Sequence, residues 1–370
     1  MRTCFVLRNV RRLNGEEIDI EIEAGKIKAV VAAGCGQGET IYDYTGTYIS
    51  SGWIDLHVHA FPDFAPYGDE IDRIGVNQGV TTIVDAGSCG ADRIADLFTN
   101  SKNAQTNVLA FLNISHIGLR RIDELSNLDW INKEKVLQAA ANHSDKIVGL
   151  KARISKSVVG RNGLEPLRLA RQLSTATKLP LMVHIGSAPP AITDILPFLE
   201  QRDILTHFLN GKANNLFDND GRPYREVIDA IKRGVHLDVG HGSASFSFSV
   251  AELSKNQGIH FNTISTDIYK KNRLHGPVYS LANVLSKFLY LGYTLEDVIK
   301  GVTSNAANWL NKPQLGRIQV GDYANLTLFA VENKPDVFVD SEGNKRSTSE
   351  MIKPKGVVIN GKFLTCEVRA

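Results

Sequence analysis

Residues 53–60 read Trp-Ile-Asp-Leu-His-Val-His-Ala, an apolar run carrying two histidines one residue apart. In an extended strand alternate side chains share a face, so His57 and His59 point together while Leu56 and Val58 point away. Two imidazoles leaving a strand side by side can ligate a metal ion. So short a pair also recurs without a metal, and its meaning depends on what other donors the chain can bring to it. Four further groups stand where apolar runs stop. Ile147-Val148-Gly149-Leu150 leads into Lys151, Leu181-Met182-Val183 into His184, Ile204-Leu205-Thr206 into His207, and the run 261–265 into Asp267. Each alone has an ordinary explanation: a structural histidine, a solvated strand terminus, a Ser-Thr-Asp turn or helix cap. Their recurrence at the same end of successive runs points to one shared metal centre.

The elements that must position these groups follow from periodicity. Apolar runs at 53–58, 79–86, 107–115, 146–152, 180–185, 204–208, 235–239 and 259–265 read as buried strands. Helical stretches lie between them, among them 164–177, 224–233 and 294–310, the last opening on Thr294 with Asp297 three residues on, as in a capping box. Eight strands alternating with helices over residues 53–310 fit an α/β fold of the (β/α)8, TIM-barrel type, in which all carboxyl ends of the strands open on one face. A doubly wound open sheet is the alternative, but it gives no reason for the donors to gather. The flanks differ in character. Ile18-Asp19-Ile20-Glu21-Ile22 alternates as a half-buried strand does, and Asn360-Gly361 after Val357-Val358-Ile359 is a two-residue hairpin signal. Residues 1–52 and 311–370 are therefore expected to form a small β-sandwich domain from both chain ends.

Composition sets the class. Lys and Arg total 42 against 40 Asp and Glu in 370 residues, without a run of like charge, so neither nucleic acid nor an anionic membrane is an implied partner. The four cysteines (Cys4, Cys35, Cys89, Cys366) lack CxxC spacing, and the first apolar run is too short for a signal peptide. A cytoplasmic protein acting on a small-molecule substrate is expected, with a homo-oligomer left open.

An H-x-H after the first strand, Lys after the fourth, His after the fifth and sixth, and Asp after the eighth resembles the binuclear branch of the amidohydrolase superfamily. Gly149-Leu150-Lys151-Ala152-Arg153, Met182-Val183-His184-Ile185-Gly186-Ser187, Leu205-Thr206-His207-Phe208-Leu209-Asn210-Gly211-Lys212, Thr266-Asp267-Ile268-Tyr269 and Gly276-Pro277-Val278-Tyr279 look most like a bacterial deacetylase subgroup. That subgroup is often labelled by homology as dihydroorotase or adenine deaminase. The resemblance implies two divalent ions, with zinc suited best to mixed imidazole and carboxylate donors and manganese, cobalt or iron left open. It implies N6-carboxylysine at Lys151 as a bridge, His57, His59 and Asp267 on one ion, and His184 and His207 on the other, with a hydroxide between. Asp267 would serve as general base and then acid.

The implied reaction is hydrolysis of the acetyl ester or amide of a small carboxylate-bearing substrate, such as an acetylated hydroxy acid or an N-acetyl amino acid. A cyclic amidohydrolase of dihydroorotase type or a purine deaminase is the competing activity, and a non-catalytic relative would be expected to have lost ligands. Arg153, two residues beyond Lys151, is a candidate carboxylate clamp or else a surface arginine. Tyr269, Arg273, His275 and Tyr279, on the loop after the eighth strand, are candidate substrate contacts. Ser187 and Asn210 follow ligands and could orient substrate. Cys89 reads as a buried structural thiol, and His116 and His241 as substrate contacts at most.

Overall fold

The structure, a computed structural model, describes residues 4–367. The chain begins with five strands, β1 (Cys4–Arg11), β2 (Glu17–Glu23), β3 (Lys26–Ala32), β4 (Thr40–Asp43) and β5 (Tyr48–Ser51). After Gly52 it passes directly into β6 (Trp53–Val58), followed by β7 (Val80–Ala86), β8 (Asn107–Asn113), β9 (Ile147–Ile154), β10 (Leu181–Ile185), β11 (Ile204–Thr206) and β12 (His236–Asp238). These seven pair in sequence order, all parallel, with helices such as Lys133–Asn142, Glu165–Thr177 and Arg225–Lys232 in the connections. Parallel strands covered on both faces are near-continuously apolar, and β6 and β7 are buried along their whole length.

The eighth run does not form a regular strand. Residues 263–268 instead make two isolated parallel bridges, Asp238↔Thr263 on the β12 side and Val58↔Ile268 on the β6 side. Its backbone is tied down by His241 N–H to Ser265 O (3.1 Å), Gly242 N–H to Thr266 O (2.9 Å) and His59 N–H to Ile268 O (2.9 Å). Asp267 adopts φ 52°, which interrupts the extended geometry a strand requires. The stretch expected as one helix at 294–310 also divides. Helices Leu295–Val302 and Ser304–Trp309 meet at Thr303, whose φ −126° and ψ −97° are not helical. The Thr294 hydroxyl does cap the first, accepting from Asp297 N–H at 3.1 Å.

The last three strands, β13 (Leu326–Val339), β14 (Lys345–Ile359) and β15 (Lys362–Thr365), return to the N-terminal ones. The order is β15-β14-β13-β5-β1-β2-β3, with β4 beside β1. Both chain ends thus share one hydrogen-bonded sheet, not the two stacked sheets of the expected sandwich, because β5 pairs directly with β13 (Ser51 opposite Leu326, Tyr48 opposite Phe329). Asn360 and Gly361, both at positive φ, turn β14 into β15. The β13–β14 hairpin extends well beyond the sheet, and its tip lies against the barrel-like half near Phe246, Phe248 and His241. Among the described residues no helix is long and apolar enough to cross a membrane.

Candidate metal centre

His57 and His59 emerge where β6 and its neighbour lose register, between Asp55 and Val58. Such a bulge lets successive residues serve one side. Leu56, expected to face away, packs with Ile54, Phe111 and Met182, while His57 Nε2 reaches the Lys151 amine at 3.2 Å, itself 3.1 Å from Met182 Sδ. Lys151 lies inside β9 and not at its end, since the strand continues to Ile154. Arg153 therefore shares its face by strand periodicity, and the register sets Lys151 opposite Met182 and Arg153 opposite His184. His184 lies in β10, and His207 follows β11 with φ 69°.

The six groups converge. The His59 Nε2 to Asp267 Oδ1 distance is 3.1 Å, and His57 Nε2 to the same oxygen is 3.5 Å. The ring centroids of His57 and His207 lie 4.9 Å apart, and those of His184 and His207 4.4 Å. Donor atoms of His57, His207 and Asp267 fall within 4.8 Å of one another, a group able to hold a metal ion.

Three of the four imidazoles are held from behind. His57 Nδ1 lies 3.0 Å from Thr206 Oγ1, His59 Nδ1 lies 2.8 Å from Ser88 Oγ, and His207 Nδ1 donates to Gly240 O at 2.6 Å. The last contact fixes the proton on Nδ1 and leaves Nε2 an acceptor aimed into the site. That Nε2 is buried and has no hydrogen-bond partner. A buried acceptor without a donor is costly in a finished structure, and a cation removes the cost. Burial holds the pKa values of His57, His184 and His207 well below the usual range, so they present neutral lone pairs. Asp267 is the reverse. Burial would raise its pKa, but its interactions with His57, His59 and His207, among them the hydrogen bond to His59, keep it below the ordinary carboxylate range, and its side chain retains 16% exposure.

Lys151 is 1% exposed, and burial brings its pKa down to about 7, so a sizeable fraction of the amine is neutral near that pH. Below the donors lies a polar floor the sequence did not reveal. Asp238 accepts from the hydroxyls of Thr206 (2.8 Å), Ser265 (2.6 Å) and Thr263 (2.7 Å), and Asp55 accepts from Thr266 Oγ1 at 2.6 Å. These carboxylates tie the irregular eighth segment to β6, β11 and β12.

Above the donors, Arg153 is no surface residue. Its Nη1 donates to the buried Glu124 at 3.2 Å, and its guanidinium sits 5.7 Å from the Tyr67 ring. Tyr67 in turn lies 5.4 Å from His59 and 5.2 Å from Tyr269, whose hydroxyl is 2.9 Å from Ser243 Oγ. Tyr67, Glu124 and Ser243 had no sequence signal, because each lies in an irregular loop. The other candidates are not brought to the centre. Tyr279 is 46% exposed and lines a separate cavity of about 410 Å³ with Asn283 and Met351. His275 is exposed at the end of helix Lys270–His275, and Arg273 is paired with Asp69 at 2.6 Å. Asn210 holds its own turn through His207 O, Ser187 is exposed, and His116 pairs with Asp92. Cys89 is buried, which raises its thiol pKa, as a structural role requires. His241 is buried and bound to Lys287.

A mixed α/β fold with a parallel half-barrel, carrying on and just beyond its strands a His-Lys-Asp cluster able to hold a metal ion, sets the class. Comparison with known proteins narrows it. The model of the deacetylase-like composite domain family matches residues 318–364. A deacetylase of Enterococcus faecalis is 41% identical over 362 residues, 97% of this chain and 98% of that protein. A solved structure named for an adenine deaminase superposes with a TM-score of 0.94 at 40% identity, covering 98% of this chain and all (100%) of that one. Another, named for a dihydroorotase, gives a TM-score of 0.90 at 31% identity over 98% of this chain and 99% of its own. The chain belongs to the deacetylase family of the amidohydrolase superfamily and is a hydrolase.

Proposed function

We propose that this chain is a binuclear metal-dependent deacetylase. In this reading residues 53–310 form a (β/α)8 barrel closed through 263–268, and the shared sheet of 1–52 and 311–370 is its second domain. The observation that carries the reading is the buried Lys151 amine, drawn towards neutrality among imidazoles and 3.2 Å from His57 Nε2. An ammonium there could not ligate a cation, whereas a neutral amine that takes up CO2 becomes an anionic oxygen donor. His57, His59 and Asp267 would hold one ion, His184 and His207 the other, and carboxylated Lys151 both, with zinc best matched to this donor set.

Divalent ions held there would lower the pKa of a water and polarise the scissile carbonyl. The chain's own residues do the rest. Asp267, partly exposed and kept anionic by its interactions with His57, His59 and His207, would accept the proton of the attacking water and return it to the leaving alkoxide or amine. Arg153, fixed by Glu124 and Tyr67, presents its remaining N–H groups to a substrate carboxylate, and Tyr67 and Tyr269 supply an apolar wall. Substrates are then small acetylated acids, as O-acetyl hydroxy acids or N-acetyl amino acids. The four cysteines are all free, which suits the reducing cytoplasm.

A hydrolysis panel of O-acetyl hydroxy acids, N-acetyl amino acids, cyclic imides and adenine tests this. Turnover is expected on the acetylated acids, each releasing acetate. Turnover confined to the cyclic imides or to adenine would replace the deacetylase reading with a cyclic amidohydrolase or a deaminase.

A further inference from the structure

A buried lysine that the proposed chemistry does not use stands beside the centre. Lys287, on helix Leu281–Tyr290, is fully buried. Its Nζ donates to Pro277 O, Val339 O and His241 Nε2, each at 2.8 Å. Three donors meeting three acceptors is the complement of an ammonium, since a neutral amine has only two N–H groups. His241 Nδ1 lies 2.9 Å from Gly242 O, a carbonyl that can only accept, so the proton is on Nδ1 and Nε2 is free to accept from Lys287. The same imidazole stacks on Phe246 at 4.5 Å and 19°. His241 is thereby held on two sides.

Its two neighbours touch the centre. Gly240 O takes the proton of His207 Nδ1 at 2.6 Å, and a Cβ on Gly240 would come within 2.8 Å of that nitrogen. A Cβ on Gly242 would stand 2.5 Å from Asp267 Oδ2. Both glycines have left-handed φ, 50° and 54°, so the backbone of 240–242 is pressed between two of the proposed ligands where no side chain fits. His241 is the only residue of the three with a side chain to anchor that backbone.

We infer that Lys287 is a positioning residue, acting through His241 to hold the Gly240–Gly242 backbone and so to aim His207 and Asp267. This rests on the metal-centre reading above, and the test separates the two. Cobalt(II) is titrated into metal-stripped protein, and affinity and the visible absorption spectrum are read alongside the unfolding midpoint of the metal-free form. Wild type is expected to bind, and Lys287→Met to bind roughly tenfold or more weakly with a shifted spectrum, the size that losing an outer support of a ligand usually gives. His241→Leu is expected to do likewise, and His241→Gln, whose amide oxygen can still accept from Lys287, to recover much of the loss. Should Lys287→Met fail to fold, the Leu and Gln pair decides. Wild-type affinity and spectrum in folded Lys287→Met, or in both His241 variants, would overturn the inference. No binding by wild type would overturn the metal-centre reading and this inference with it.

Discussion

A lysine amine sealed inside a protein loses the solvation that keeps it charged, and Lys151 shows the consequence. Its proton is held less tightly in the fold, at about 7, than in the unfolded chain, at 10.5. Between those values the unfolded state binds more protons, so metal-free protein gains stability as pH rises from 7 towards 10.5, and this group adds no slope below about 6. Urea unfolding in chelator at pH 7 and pH 9 should show the gain, and Lys151→Met should diminish it. An undiminished gain would mean that Lys151 is already charged and satisfied. The same residue governs ion binding. Lys151→Ala is expected to lower bound divalent metal and to cut turnover more than about a hundredfold, beyond the usual effect of an outer support. Full metal content and activity in that variant would exclude a bridging lysine. Arg153 needs a paired change, because removing it alone strands Glu124 as a buried carboxylate. Arg153→Met with Glu124→Gln is expected to raise KM for carboxylate-bearing substrates roughly ten- to a hundredfold at unchanged metal content. Equal KM would take Arg153 out of substrate recognition.

At the scale of elements, the strands were legible because burial on both faces leaves an unmistakable apolar run, as at 80–86 and 107–113. Donors at the ends of such runs were legible too, since a histidine after Leu-Thr or Met-Val interrupts the pattern. The eighth segment was not. It reads as a strand at 259–265, yet its backbone is bent by side-chain bonds to Asp55 and Asp238, which are far away in sequence. The long hairpin tip was equally hidden, because its partners lie on the other half of the chain. Asp340, 2% exposed, organises that tip: its carboxylate accepts from Glu342 N–H (2.9 Å), Asn344 N–H (2.8 Å) and, across the interface, Phe248 N–H (3.1 Å). Asp340→Ala strips these three bonds and a fourth from Asn344 Nδ2 (3.1 Å) to the same carboxylate, and should cost about 2–3 kcal/mol in urea unfolding, with the m-value unchanged. A cost under about 0.5 kcal/mol would mean that the tip is not docked in solution.

At the scale of the molecule, the question is whether the shared sheet and the barrel-like half unfold as one. Only Gly52 separates β5 from β6, and its N–H donates to Asn325 O at 2.7 Å. The Thr327 hydroxyl accepts from Trp53 N–H at 3.1 Å and donates to Gly79 O at 2.8 Å, and Trp53 packs on Phe329 with centroids 5.3 Å apart. The sheet nevertheless has its own apolar cluster, in which fully buried Ile20 packs among Leu7, Ile49, Leu326 and Val358. All described α-helices lie between residues 71 and 309, so the α-helical circular-dichroism signal reports the other half alone. Ile20→Ala removes buried methyl groups wholly inside the sheet and should cost about 2–5 kcal/mol. If the junction couples the two halves, the unfolding free energy read from the helical signal falls by that whole amount and the urea midpoint drops with it, although no helix has lost a contact. If the halves are independent, the helical midpoint stays in place while the sheet melts earlier. The direct β5–β6 passage, the doubly used Thr327 hydroxyl and the buried Trp53–Phe329 contact favour coupling, because the sheet cannot leave without uncovering Trp53 and stranding Gly79 O.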